Sequence, residues 1–406
     1  MMPSLFPPSA TTDSKRLITT RALRGIGDGA TSVLLASYLS AIGLSPAQIG
    51  VVVFATLFGS ALVTLWAGFA TRRIGTRRMF LGASVLMIAT GLGFSYARSF
   101  EALALIGFVG TMNPSAGDVS LFLPLEQTAI AQSVETRDLT GLFAFYNVAG
   151  ALGGAFGALA SGLPTILAAH FGWNLVVAQR SGFVAYAILG VIAAAIYASL
   201  SPAVEAPSAS IKRTPLAKSR ATVMRLAALF SLDSFGGGFA IQSLLALWLF
   251  RRFNMSIGAA GTFFFVAGLL GSFSQFISSR IAARFGRINT MVYTHLPANA
   301  FLILAALMPT APLAIMFLLL RSSLSSMDVP ARQSFVMAVV PPEERAAAAS
   351  VTNVPRSLAS AAAPIPAGMM LEASSFGWPL IAAGVLKIAY DFLLLAQFRA
   401  VKPDDE

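Results

Sequence analysis

No cysteine occurs anywhere in the chain, which excludes disulfides, thiolate metal sites and a cysteine nucleophile. Histidine is nearly as scarce, and the two present, His170 and His295, lie far apart in sequence. Charge is thin too. Asp, Glu, Lys and Arg make up 11% of the 406 residues, against about 25% in a soluble domain. No HExxH, phosphate loop or Ser/His/Asp set is present. Gly25-Ile26-Gly27-Asp28-Gly29 has glycines like those of a nucleotide-binding turn, but no strand precedes it. An enzyme is therefore not expected, and neither a cofactor nor a metal is implied.

What the chain has is apolar length. Hydrophobic residues make up 56% of it, gathered into about twelve runs of roughly 18–30 residues. They fall at 20–42, 49–69, 79–96, 101–132, 139–161 and 181–200, then at 224–249, 259–283, 290–307, 312–340, 346–371 and 378–398. A single core cannot bury that much, so the expected class is an all-α membrane protein that crosses the bilayer repeatedly. The fourth and tenth runs are overlong. Pro114 and Pro124 interrupt the first of these and Pro330 the second. Residues 201–222, with three prolines and four basic residues between Ser201 and Arg220, read as a solvated linker. The expected domains are a tail at 1–19, a bundle at 20–200, this linker, a bundle at 223–398 and a tail at 399–406. The N-terminus has no apolar core of its own, so the first helix is expected to serve as an uncleaved insertion signal.

The net charge of +11 does not point to nucleic acid, because the bases sit in short loops between apolar runs. With both termini cytoplasmic, about 20 of the 28 Lys/Arg fall on that side, as the positive-inside bias requires. The halves also repeat. Ser45, Gly50, Phe54, Arg73 and Gly75 match Ser256, Gly261, Phe265, Arg284 and Gly286 at an offset of 211. Pro124, Gln127, Val134 and Asn147-Val148 match Pro330, Gln333, Val340 and Asn353-Val354 at an offset of 206. Two six-helix bundles in the same orientation imply a pseudo-twofold axis along the membrane normal and a site near mid-bilayer between them.

The densest basic loop lies between the second and third runs: Gly68-Phe69-Ala70-Thr71-Arg72-Arg73-Ile74-Gly75-Thr76-Arg77-Arg78. It resembles the G-x-x-x-D-R-x-G-R-R signature of the major facilitator superfamily, at the place where that family carries it. Two positions depart: Arg72 stands for the family's acid and Thr76 for an arginine. The second-half copy departs as well, with Ser279 for the glycine and Ala283 for the acid. The resemblance covers nearly the whole chain. It implies the family's twelve-helix fold and transport of a small molecule, by a monomer in the inner cytoplasmic membrane. The fifth run holds Gly141, Gly150 and Gly154 at the spacing of the family's antiporter signature, with Ala155 in place of its proline. Ordinary small-residue helix packing explains those glycines equally well. In the family, an acid at the end of helix 4 often pairs with an arginine of the helix 2–3 loop. The resemblance thus implies Glu126 with Arg73 or Arg77. The implied gating set is Gly68, Arg73, Gly75, Arg77 and Glu126, with Arg284, Gly286 and Arg332 in the second half.

Ionisable groups inside apolar runs are costly, and each is a functional candidate. Asp28 lies about 12 Å into the first helix at the helical rise, and Asp233 about as deep in the seventh. Burial disfavours the charged form, so such carboxyls suit proton coupling. Asp28 has an alternative as the i,i+4 partner of Arg24, whereas Asp233 has no charge four residues away on either side. Gly236-Gly237-Gly238 softens the seventh helix into a candidate hinge. Arg321, Asn113, Asp118, Gln242 and Asp328 are candidate substrate contacts, and Arg321 has an alternative as a structural partner of Asp328 or Asp118. Lys387 and Asp391 are expected to pair on one helix. Gln127, Asn147, Gln333 and Asn353 either line the cavity or bond between helices, and for Asn147 and Asn353 bonding between helices is favoured.

The function expected is proton-coupled secondary transport, with export by antiport favoured. Uptake of a small organic anion by symport, anchored on Arg321, is the alternative. A non-transporting membrane sensor or assembly partner is the reading from a different class.

Overall fold

A computed structural model describes residues 9–115, 120–134, 136–205 and 216–399. Among them there is no strand. The first set of helices is α1 (Thr12–Ala41), α2 (Pro46–Ile74), α3 (Thr76–Tyr96), α4 (Phe100–Val109), α5 (Phe122–Gln132), α6 (Thr136–Ala160), α7 (Leu163–Phe171) and α8 (Leu175–Ala198). The second is α9 (Arg220–Gly238), α10 (Gln242–Phe253), α11 (Ile257–Phe285), α12 (Arg287–Leu307), α13 (Ala311–Ser325), α14 (Asp328–Ala338), α15 (Arg345–Ala362), α16 (Pro364–Ala373) and α17 (Trp378–Phe398). The chain forms two compact units. One holds 1–44, 55–211 and 256–265, and the other 45–54, 212–255 and 266–406. The opening of α2 thus clusters with the second unit, and that of α11 with the first.

Helix starts follow local chemistry. Thr11, Ser99 and Asn174 cap α1, α4 and α8, each side-chain oxygen accepting from a first-turn amide. The two overlong runs do break: Pro114 lies within the first break, whereas Pro124 and Pro330 stand just after the breaks. The fourth run is non-helical over 110–115, and its helix resumes with Pro124 as the third residue of α5. The tenth breaks at Ser326–Met327, with Pro330 third in α14. A first-turn proline lacks only an N–H that has no helical acceptor anyway. The seventh run also divides, between α9 and α10, directly after Gly236-Gly237-Gly238.

Nine segments among the described residues are long and apolar enough to cross a membrane. The remaining three expected crossings are α1, the α4–α5 pair and the α15–α16 pair. Helix α1 is too polar to qualify because it does not face lipid: Arg21, Arg24, Asp28, Thr31 and Ser32 are all buried within its bundle. The protein is thus a multi-pass, all-helical membrane protein.

Glycine permits a close approach between α1 and α6. A Cβ at Gly29 would lie 2.0 Å from the Gly154 carbonyl oxygen, and one at Gly157 would lie 2.1 Å from that of Ile26. Gly150 and Gly154 of the fifth run, now α6, therefore lie in a close-packed seam, the mode small residues allow in membranes. Around this seam the first core stacks Phe80 on Tyr197, centroids 4.4 Å apart. The second core gathers Phe230, Met291, Phe335, Tyr390 and Phe398.

Outside the spans, Glu344 closes the entry to α9. Its carboxylate accepts from the Ala217, Lys218 and Ser219 amides and from the Ser219 hydroxyl. These donors, the hydroxyl first, pull its pKa down to about 2.

Two outcomes are expected. Gly29→Ala should lower thermal stability in detergent by about 1–3 kcal/mol through overpacking. Gly82→Ala, where a Cβ meets nothing within 4 Å, should leave it unchanged. Because the folded pKa of Glu344 lies below its unfolded value, its contribution is complete above the ordinary glutamate range and is lost as pH falls towards about 2. Hydrogen exchange of the 217–219 amides should accelerate in Glu344→Gln relative to wild type at pH 7.

Candidate functional site

Each unit buries its own charged cluster. In the first, Glu126 on α5 is fully buried and pairs with Arg24 of α1. It also accepts from Thr20 at 2.9 Å, Tyr146 at 2.6 Å and Tyr197 at 2.5 Å. The Arg24 guanidinium lies over the Phe122 ring, 4.2 Å from its centroid. A carboxylate removed from water is costly unless donors surround it. The expected pairing of Glu126 with Arg73 or Arg77 is therefore corrected. The break in the fourth run restarts the helix at Phe122 and turns Glu126 into the bundle, away from the basic loop. Asp28 is buried one turn beyond Arg24 and feels the Arg24 and Arg21 charges. Among the described residues it makes no ion pair with Arg24, which is committed to Glu126.

In the second unit the centre is Asp233 of α9. Lys387 of α17 donates to it at 2.6 Å, Arg332 of α14 donates at 3.3 Å, and His295 Nε2 of α12 stands 3.8 Å away. Asp328 holds Arg332 from one helical turn back at 3.1 Å. His295 Nδ1 meets Asp391 at 2.9 Å, and Asn299 donates to the same carboxylate at 3.0 Å. The predicted Lys387–Asp391 pair is thus replaced by two bonds to other helices. The glycines of α9 make this possible. Cβ positions at Gly236 and Gly237 fall 3.1 and 3.5 Å from Lys387 carbons, so a larger residue would crowd the lysine that reaches Asp233.

His295 is the residue that sequence reasoning missed. Its imidazole lies between Asp391 and Asp233, in contact with one and near the other. The available signal was one His on a membrane helix with Asn299 four residues on, and it has no meaning until α17 supplies Asp391.

The clusters follow one plan with signs exchanged, Glu126 and Arg332 being repeat-equivalent at the offset of 206. Arg24 of the first helix pairs with Glu126 of the fourth, and Asp233 of the seventh pairs with Arg332 of the tenth.

A family model described as the Major Facilitator Superfamily matches residues 17–364. This chain belongs to the major facilitator superfamily. It is a transporter and not an enzyme. An uncharacterised membrane protein of Saccharomyces cerevisiae is 26% identical, over 99% of this chain and 98% of the yeast protein. Among solved structures, the nucleoside transporter NupG superposes with a TM-score of 0.76 at 13% identity, covering 95% of this chain and all 100% of that one. A bacterial homologue of the human lysosomal transporter Spinster gives 0.72 at 19% identity, covering 95% and 97%. A D-xylose–proton symporter gives 0.72 at 15%, covering 94% and 96%. At these identities the three structures establish the fold alone.

The basic-loop signature of this major facilitator member is built on backbone more than on charge. Gly75 and Gly286 each take a positive φ, +92° and +83°, as the N-caps of α3 and α12. Glu205, beyond α8, accepts from the Thr76 and Arg77 amides at 2.8 and 2.9 Å, and the Arg77 side chain donates to the Ala198 carbonyl. A carboxylate thus satisfies the amides at the start of α3. Gly68, Arg73 and Arg284 are exposed, Arg284 lying over the Phe285 ring. The side chain of Arg72, and those of Ser279 and Ala283, lie outside what is described.

The remaining candidates separate. Asp118 lies outside the described residues. Asn113 is buried and accepts from the Ser115 amide and hydroxyl, shaping the break after α4. Gln242 opens α10, half-buried. Asp328 and Arg332 belong to the Asp233 network. Asn147 and Asn353, expected to bond between helices, are instead exposed. Arg321 is half-buried, and neither Asp328 nor any other described carboxylate pairs with it.

Glu126→Gln should cost about 3–5 kcal/mol by leaving Arg24 buried without its counter-charge. The double variant Arg24→Met/Glu126→Gln should recover part of that loss. Unfolding midpoints of the purified variants in one detergent measure both.

Proposed function

We propose that the protein is a proton-coupled secondary active transporter of a small solute. It works by alternating access, as a monomer in the cytoplasmic membrane with both termini cytoplasmic. The observation that carries this is the Asp233 carboxylate, buried and held by bases from α12, α14 and α17. Protonation would cancel the one negative charge on which Lys387 and Arg332 converge. Lys387 and Arg332 would then repel one another, and the helices bearing them would lose their common tie. Loading and unloading one proton is thereby converted into a change in helix packing. His295, set between Asp233 and Asp391, gives that proton a second resting place and a route. Asp28 is the auxiliary acid in the first unit.

Export and import can both use this device. The glycine series of helix 5, which favoured export, is occupied in the α1–α6 seam. Direction therefore follows from what is bound.

Asp233→Asn tests the reading without a known substrate. In phosphatidylcholine proteoliposomes on a solid support, a pH jump should drive a transient charge displacement in wild type, and Asp233→Asn should abolish it. An unchanged displacement in that variant would reject Asp233 as the coupling acid.

A further inference from the structure

The second unit carries more cation than its own acids neutralise. Asp233 is taken by Lys387 and Arg332, Asp328 by Arg332, and Asp391 by His295 and Asn299. Two further guanidiniums, Arg321 and Arg356, have no carboxylate partner among the described residues. Arg321 of α13 bonds to no other described residue, and its Nε is enclosed with no partner. Arg356 of α15 donates Nε only to the Ser234 hydroxyl, at 2.8 Å. Ser234 adjoins Asp233, so Arg356 stands at this cluster, and Arg321 also feels the Asp233 charge. A guanidinium within a membrane span with no ion-pair partner is costly to keep. Arg356 also lies beside a row of small polar residues on α15: Asn353 is exposed, and Ser357 and Ser360 are half-buried.

We infer that Arg321, with Arg356 as the second cation, forms the binding site for a small organic anion bearing a carboxylate or phosphate. This rests on the proton-coupled reading above and names its substrate class. Five N–H groups in a planar fork fit those oxyanions. The tie to the proton follows from charge. With Asp233 ionised, an incoming anion meets a fixed negative charge beside the two guanidiniums. With Asp233 protonated, that repulsion is gone. Anion and proton therefore favour each other's binding and travel together, which makes the transporter a symporter.

The test uses the full-length protein in phosphatidylcholine nanodiscs, with the unfolding midpoint read against succinate, benzoate and glycerol 3-phosphate. Xylose and uridine are the neutral controls and tetraphenylphosphonium the cationic one. At least one anion should stabilise wild type, more strongly at pH 6 than at pH 8, and the controls should not. Arg321→Gln should fold as well as wild type or better and lose the response. Arg321→Lys keeps the charge without the fork and should weaken the apparent affinity roughly ten- to hundredfold. Arg356→Gln should weaken it less than Arg321→Gln.

Stabilisation by the controls and by no anion would overturn the inference, as would an anion response unchanged in both Arg321 variants. Stabilisation by phosphatidylglycerol alone, added to the nanodisc, would assign the guanidiniums to a lipid headgroup and overturn it too. A pH-jump displacement that persists while no anion binds removes the substrate class and leaves the coupling reading standing. Anion binding in a protein that shows no displacement removes the coupling reading instead.

Discussion

A carboxylate in the middle of a membrane bundle is stable only when cations from other helices reach it, and that requirement shapes both units. Asp233 draws α12, α14 and α17 towards α9, while Glu126 draws α1, α6 and α8 towards α5 through Arg24, Tyr146 and Tyr197. The desolvation penalty of either charge alone is several kcal/mol. The surrounding bonds offset it only at close range, so the helices must approach within the reach of side chains. Glycine supplies that approach, at Gly29 and Gly154 between α1 and α6 and at Gly236 and Gly237 beneath Lys387.

The two clusters differ in a way that suits different duties. The Glu126 cluster is closed by neutral hydroxyl donors as well as Arg24, and removing any single donor leaves others in place. The Asp233 cluster is closed almost entirely by charge and includes an imidazole. The repeat retained one position of these clusters while exchanging its sign, Glu126 in one half and Arg332 in the other.

The legible part of the fold was the part written in composition and local geometry. Gly75 and Gly286 were visible as the same turn in two copies because positive φ selects glycine, whatever surrounds it. The breaks in the overlong runs were signalled by Pro124 and Pro330, which mark where a helix restarts. The pairing of the buried charges was not legible. Lys387 and Asp391 looked like partners because only intrahelical neighbours are visible along a chain. Arg24 and Asp233 escaped comparison because both offsets of the repeat place Arg24 opposite a phenylalanine, Phe230 or Phe235.

The sequence by itself determined the solvent: runs this long and this apolar leave the backbone no choice but helices in a bilayer, and the basic loops order them into two copies. Only the tertiary structure decided which charge belongs to which. Ion pairs between helices depend on rotation and approach set by small residues across a seam, and side chains more than a hundred positions apart carry no mark of their partner until packing brings them within 3 Å or so of one another.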